Sequence, residues 1–500
     1  MIQSSPSRHA VPAQSPFPSP PPVASPFRRP LRYRLGISSA IALVACAAFA
    51  IPAAILAEDP ASPAVLRAGA ARADITPDVG LPLWGYGGRK DLPARGTRDG
   101  LEAAVVVLDF GPQPPPPGST ATPPLATTGG DRAASAGARA VDRAAASARG
   151  RIALVGVDLG RAPARRTMES LRARLRAEAG IGHVFVVGSH THHGPCLELE
   201  TSEPTATWIR TLVDRLTAAS VAATGAMVPA KLAVGSVEIA RNRNRHSRIE
   251  PKAVDRRLTV LRVDGVDERP IATVVNFAAH PTSLPWNVFE YSADFPGPLK
   301  DRVEALVGGV CVFLQGASGD LSTDRKGLSM EEYGATLGDD VVRLWRELVP
   351  VVPATPRLAV REEELRFERL RVDLSEPLTR IKYTLAFFKS LVDHYVEEYR
   401  DGVRPRLQVA LIGDDVGIVG VSGEFFANHA IRLRERARLR ETLFLGYCSG
   451  YHQYFPTIEA VAEGGYGADP DVSPVEIGAG ERIMDRALWI LWELRGKLDR

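Results

Sequence analysis

The stretch Val184-Phe185-Val186-Val187-Gly188-Ser189-His190-Thr191-His192-His193-Gly194-Pro195 decides how this chain is read. An apolar, β-branched run stops at three histidines in four residues, followed by Gly-Pro. This predicts a buried strand that delivers imidazoles to a loop at its carboxyl end. Side chains alternate along a strand, so His190 and His192 point the same way if the backbone stays extended. Two such imidazoles are half of a metal site, or a ligand and its acid/base neighbour. The whole chain holds 10 histidines, which makes a chance cluster a poor explanation.

Outward from this stretch the pattern recurs. Apolar strands end in polar loops that carry His190 and His192, Arg243, His280, Asp320 and Ser322, Glu424 and Tyr454. In open α/β sheets, ligands bind outside the carboxyl ends of strands. Strands alternate with helices throughout, which argues an α/β fold. The expectation is a single large domain over 66–500, with mixed β-sheets flanked by helices and the active site at strand C-terminal ends. Helical periodicity predicts a helix over 165–179 and a long one over 381–400. The glycines of Leu83-Trp84-Gly85-Tyr86-Gly87-Gly88-Arg89 lack the spacing of a phosphate loop and read as a cleft mouth or a plain surface turn.

Composition bounds the function. The formal net charge of the 500 residues is +3. Five arginines (Arg8, Arg28, Arg29, Arg32, Arg34) and no acid lie in the first 35 residues, so the body is near neutral and nothing argues for nucleic acid. Gly36 to Ala57 is an uncharged apolar run, long enough to span a membrane. With the basic, Pro-rich segment before it, 1–57 reads as a signal peptide, a lipoprotein signal or an uncleaved anchor. Each places the body outside the cytoplasm: secreted, periplasmic, or tethered at a membrane surface. Residues 111–149 are rich in Pro, Ala, Ser and Thr, cannot bury a core, and read as a disordered insertion in a hairpin. Cys196, Cys311 and Cys448 have no CxxC spacing, so a disulfide framework is not indicated. Oligomeric state is not legible.

Residue by residue, His190, His280 and Glu424 offer two imidazoles and a carboxylate, a catalytic zinc arrangement. Glu424 alone also reads as a carboxylate at a helix start, favoured by the dipole. Ser322 is not in a GxSxG elbow and alone reads as a turn or N-cap serine. His9, His183, His246, His394, His429 and His452 fall on expected surfaces or tails.

Taken in order, several segments resemble the neutral/alkaline non-lysosomal ceramidase family, specifically its N-terminal catalytic domain. They are Asp74-Ile75-Thr76-Pro77, His190-Thr191-His192-His193-Gly194-Pro195, Asn242-Arg243, Asn276-Phe277-Ala278-Ala279-His280-Pro281-Thr282, Gly319-Asp320-Leu321-Ser322, Gly423-Glu424 and Tyr451-His452-Gln453-Tyr454. The resemblance runs from about Leu66 to the end. It implies a zinc-dependent amidase that splits N-acylsphingosine into a fatty acid and sphingosine, with a lipid-like N-acyl substrate as its partner. It implies Zn2+ ligands at His190, His280, Glu424 and Tyr454, with His192 and Arg243 near the reacting amide and Ser322 in the cleft. Arg245 competes with Arg243, because the Asn-Arg pair occurs twice. Tyr454 is preferred over Tyr451 because it adjoins Phe-Pro-Thr. Three features depart from the family: the chain ends without a C-terminal immunoglobulin-like domain, the Pro/Ala-rich insertion is its own, and His193 stands where a small residue is usual. Two other readings stay open, a zinc hydrolase of the same fold acting on a different N-acyl or ester substrate, and a non-catalytic surface-binding protein.

Overall fold

The period-two alternation of the central strands divides their side chains between two cores. The computed structural model describes residues 65–113, 150–354 and 356–498. The segment 1–57 lies outside these residues, as does the insertion from residue 114 to 149. An eight-stranded mixed sheet contains β1 (Arg67–Asp74), β2 (Glu102–Asp109), β3 (Arg151–Val157), β4 (His183–Gly188), β5 (Val228–Glu238), β6 (Arg257–Gly265), β7 (Pro270–Phe277) and β8 (Val310–Gln315). Its spatial order is β8-β7-β6-β5-β1-β2-β3-β4. Only β3/β4 and β7/β8 pair in parallel. The hairpin expected around the insertion is present, with β2 and β3 antiparallel from Ala103↔Val157 to Asp109↔Arg151. A four-stranded sheet follows: β9 (Leu358–Glu364), β10 (Arg406–Ile412), β11 (Val416–Val421) and β12 (Glu441–Leu445), in that order.

On β2, Ala104, Val106 and Leu108 face a core shared with the four-stranded sheet, where they meet Ala410, Ile418 and Leu443. Ala103, Val105 and Val107 face the opposite way. That outer face is covered by α1 (Arg165–Ala179) and α2 (Thr205–Gly225). Beyond β6, β7 and β8 lie α3 (Pro296–Val307) and α4 (Met330–Glu347). The predicted helix over 381–400 is two helices, α5 (Pro377–Ala386) and α6 (Lys389–Glu398), broken at Phe387 and Phe388. No Gly or Pro marks the break; both rings turn into a cleft, so tertiary packing overrides helical periodicity. Together with α7 (Ala427–Ala437) and α8 (Ala479–Leu494), α6 covers the outer face of the four-stranded sheet. The result is a layered mixed α/β domain, as expected. Cys196, Cys311 and Cys448 are buried and unbridged. No described helix is long and apolar enough to cross a membrane.

One buried charge cluster ties the layers together. Lys300 Nζ on α3 lies 2.7 Å from Asp158 Oδ2, just beyond β3, and 3.4 Å from Glu102 Oε2. Lys300 and Asp158 are both buried. Lys300→Met removes the cation and leaves Asp158 desolvated. The expected cost is about 3–5 kcal/mol in urea unfolding, since a buried charge loses its partner. A loss under about 1 kcal/mol would mean that water or relaxation replaces the lysine.

Candidate metal centre and cleft

Beyond β4 the chain does not stay extended. His190 adopts a left-handed conformation (φ 72°), and its N–H donates to Leu159 O at 2.9 Å. A non-glycine residue in that region is a strained position of the kind held at functional sites. The turn buries the His190 ring completely. Its Nδ1 lies 2.7 Å from Gly160 O. His280, three residues beyond β7, is likewise buried, with Nδ1 2.7 Å from Ser318 O. A carbonyl only accepts, so both Nδ1 atoms carry the proton and both Nε2 atoms present lone pairs. Those two Nε2 atoms are 2.9 Å apart.

Gln315, the last residue of β8, fastens these loops. Its buried amide donates to Ser189 O at 3.0 Å and Ala279 O at 2.8 Å. Asn276 and Asn242 of the quoted segments are structural too. Asn276 Nδ2 donates to Leu314 O and Phe444 O, and Asn242 Nδ2 to Asp255 O and Ala278 O.

Glu424 arrives from the second sheet. It is not a helix cap, because Phe426 is the cap of α7. Instead Glu424–Phe425 pairs in parallel with Tyr454–Phe455, in the register Glu424↔Tyr454. Alternation sends Phe425 and Phe455 inward, where their rings stack at 4.5 Å, and puts Glu424 and Tyr454 together on the other face. Glu424 Oε2 is 3.3 Å from both His190 Nε2 and His280 Nε2. Tyr451 Oη donates to Glu424 Oε1, and Tyr447 Oη reaches Oε2 at 3.5 Å. Burial alone would raise the Glu424 carboxyl, but His190 and His280 hold it well below the usual range.

His192 completes the cluster. Its ring lies 5.1 Å from that of His190 and packs against Trp84 and Tyr86. Neither of its nitrogens has a hydrogen-bond partner. Burial, then His190 and His280, holds this imidazole well below its ordinary value. Gly85 leaves room for it: at φ 101°, a Cβ there would sit 2.4 Å from His192 Cγ. The three histidines offer nitrogens within 4.8 Å of one another and could together hold a metal ion. The donor set fits one. Lone pairs and a carboxylate converge; the donors facing them are the Tyr447 and Tyr451 hydroxyls on Glu424 and Arg245, whose Nη2 lies 2.9 Å from His280 Nε2. Between His190 Nε2 and Glu424 Oε2 there must be a second imidazole proton or a cation. The unpartnered His192 favours the cation.

The remaining expected residues fall as follows. Tyr454 Oη accepts from Arg245 Nη2 at 3.1 Å. Arg245, the competing match, is the arginine at the cluster. Arg243 is exposed. The short ribbon Asn242–Asn244 against Leu321–Thr323 pairs Ser322 with Arg243, so both project from one face, and Ser322 also forms a parallel bridge with His280. Ser322 is half-buried and is not part of the cleft wall. His193 turns aside to Arg89, with Nε2 and Nη2 2.6 Å apart.

An open cleft lies over His192 and Glu424. The Gly-rich loop supplies one wall, Leu83 to Gly87, as the first of its two readings had it. The opposite wall is apolar: Val372, Leu374, Phe387, Phe388, Leu391 and Val392. Lys90 Nζ bridges the walls by capping the end of α5 at Leu385 O and Ala386 O. Sequence reasoning missed the floor of this cleft, where Glu198 accepts from Trp84 Nε1 at 3.1 Å and Tyr395 Oη at 3.0 Å and pairs with Arg161 Nε at 3.0 Å. Those partners are scattered over more than 300 residues and leave no local motif.

No protein-family model matches the chain, and no curated protein matches it in sequence. Solved structures do match its fold. A neutral ceramidase from Pseudomonas aeruginosa superposes with a TM-score of 0.66 at 18% identity, over 88% of this chain and 76% of that one. A ceramidase complexed with C2 gives 0.65 at 18% identity, over 87% and 76%. The domain therefore has the neutral ceramidase fold.

Proposed function

We propose that the protein is a zinc-dependent hydrolase of the neutral ceramidase type, which cleaves the N-acyl bond of a ceramide-like lipid. One observation carries this reading: buried imidazoles and the Glu424 carboxylate converge at the base of a cleft whose far wall is apolar. Fold similarity to two ceramidases supports it. On α5, beside that wall, Leu378, Ile381 and Leu385 stay exposed, which suits a lipid substrate.

His190, His280, Glu424 and Tyr454 would hold the ion, whose contribution is Lewis acidity toward the amide carbonyl. The chain's own residues do the rest. His192, held unprotonated by burial, takes a proton from the attacking water. As the C–N bond breaks, the same proton passes to the departing nitrogen, giving a carboxylic acid and an amine. Arg245 donates to the carbonyl oxygen as negative charge builds there. Trp84 and Tyr86 exclude bulk water from His192. The segment 1–57 exports the domain or holds it at the outer face of a membrane. Protease protection of the full chain in cells stripped of any outer membrane would contradict export across the cytoplasmic membrane.

The deciding experiment is fatty-acid release from N-acylsphingosine in mild detergent, with and without a chelator, on protein of measured metal content. Chelator-sensitive release with about one zinc per chain is expected. Release only from other N-acyl or ester substrates would discard ceramide and keep the hydrolase. Absence of both metal and release would discard the enzyme.

A further inference from the structure

A second, small cavity lies behind the floor of the cleft. Its lining is dominated by guanidinium groups: Arg161, Arg165, Arg172, Arg404 and Arg406, against Glu364 and Glu398. Several are poorly matched. Arg161 is only 2% exposed, and although its Nε pairs with Glu198, its Nη2 is buried without a hydrogen-bond partner. Arg172 has neither Nε nor Nη2 partnered, and Arg406 Nε is unmet although its Nη2 pairs with Glu362. Burial, then Arg406, pulls Arg172 down to about 10. Arg165 approaches Glu364 only to 3.8 Å. His452, which the sequence places at the surface, is buried against the cavity with Nδ1 unpartnered.

The same cavity meets the start of α1. The N-cap is Ala164, which has no side-chain acceptor to offer the first N–H groups of this 15-residue helix. A helix N-terminus and converging arginine forks are both complementary to a tetrahedral oxyanion. Unpaired buried donors are costly, and a bound anion satisfies them together.

We infer that this cavity is a binding site for a small free oxyanion of the phosphate or sulfate type. Its lining carries no aliphatic side chain larger than that of Ala164, so the ligand is the anion and not a lipid carrying it. The site touches the cleft through Tyr451. Arg161 lies 5.7 Å over that ring, and Tyr451 Oη donates to Glu424. The inference stands without the hydrolase reading, because it concerns binding alone.

Calorimetric titration of the full chain with inorganic phosphate, at ionic strength held constant with chloride, tests it. Saturable binding is expected, weakened about tenfold or more in Arg172→Gln, since a hydrogen bond to a charged group is lost. Arg404→Gln, at the more exposed edge, should weaken it as well and carries the test if Arg172→Gln does not fold. No saturable binding to the wild type would overturn the site. Binding undiminished in both variants would do the same, by placing the anion elsewhere, such as at the histidine cluster. Tighter binding of a short-chain phosphatidic acid than of phosphate would overturn the free-anion assignment.

Discussion

Glu424→Ala should strip the metal and abolish hydrolysis while the chain stays folded. Glu424 is 2% exposed, and among the described residues its Oε2 is the one anionic atom within 3.3 Å of both His190 and His280 Nε2. Without it the cluster keeps imidazoles but no negative charge to balance a dication. Losing an atom so placed lowers metal affinity by about 10–100-fold or more. Folding should survive because the change also removes a buried anion. What remains unmet is the Tyr451 hydroxyl, at about 1–3 kcal/mol before a water fills the space, since Tyr447 Oη keeps Ser318 Oγ at 2.8 Å. Metal per chain, measured by elemental analysis after dialysis, should fall from about one to near zero. Far-UV circular dichroism should be unchanged. A Glu424→Ala protein that kept its metal and its rate would remove Glu424 from the site and leave the three histidines as the whole ligand set.

Much of this site is legible in sequence because it is built from strand ends. The valines and alanines of β2, β3 and β4 alternate cleanly between two cores, so strand boundaries and the loops beyond them follow from residue type. His190, His280 and Glu424 are each the polar residue met two or three positions past such a strand. Their convergence is not legible, since it depends on Gln315 clasping two loops and on Glu424 entering from another sheet. The break between α5 and α6 is invisible for a related reason. Phe387 and Phe388 fit a helical pattern, and only the presence of a cleft pulls them out of it. The arginine cavity gathers residues from 161 to 406, each of which alone reads as a solvated charge.

The choice between two arginines shows the same limit and yields the sharpest functional test. Arg243 and Arg245 each follow an asparagine, so local sequence cannot separate them. Strand geometry can. Asn242 and Asn244 point inward and are buried, which forces Arg243 outward on the face it shares with Ser322. Past the ribbon, the Arg245 N–H donates to Asp320 O at 2.8 Å and the side chain turns in. Its Nη2 then lies 2.9 Å from His280 Nε2, 3.0 Å from Gly319 O and 3.1 Å from Tyr454 Oη. A cation fixed there meets negative charge developing on the carbonyl oxygen without reorganising, which is what makes such groups effective. Arg245→Met should therefore lower kcat by about 10²–10³-fold, equivalent to about 2.7–4 kcal/mol. KM should move less, because the charge forms mainly in the transition state. Arg243→Met should stay close to the wild-type rate. Steady-state kinetics of the two variants on one substrate make the comparison. If Arg243→Met were the crippled protein and Arg245→Met the active one, the inward turn at Asp320 would have no catalytic purpose, and oxyanion stabilisation would pass to Arg243.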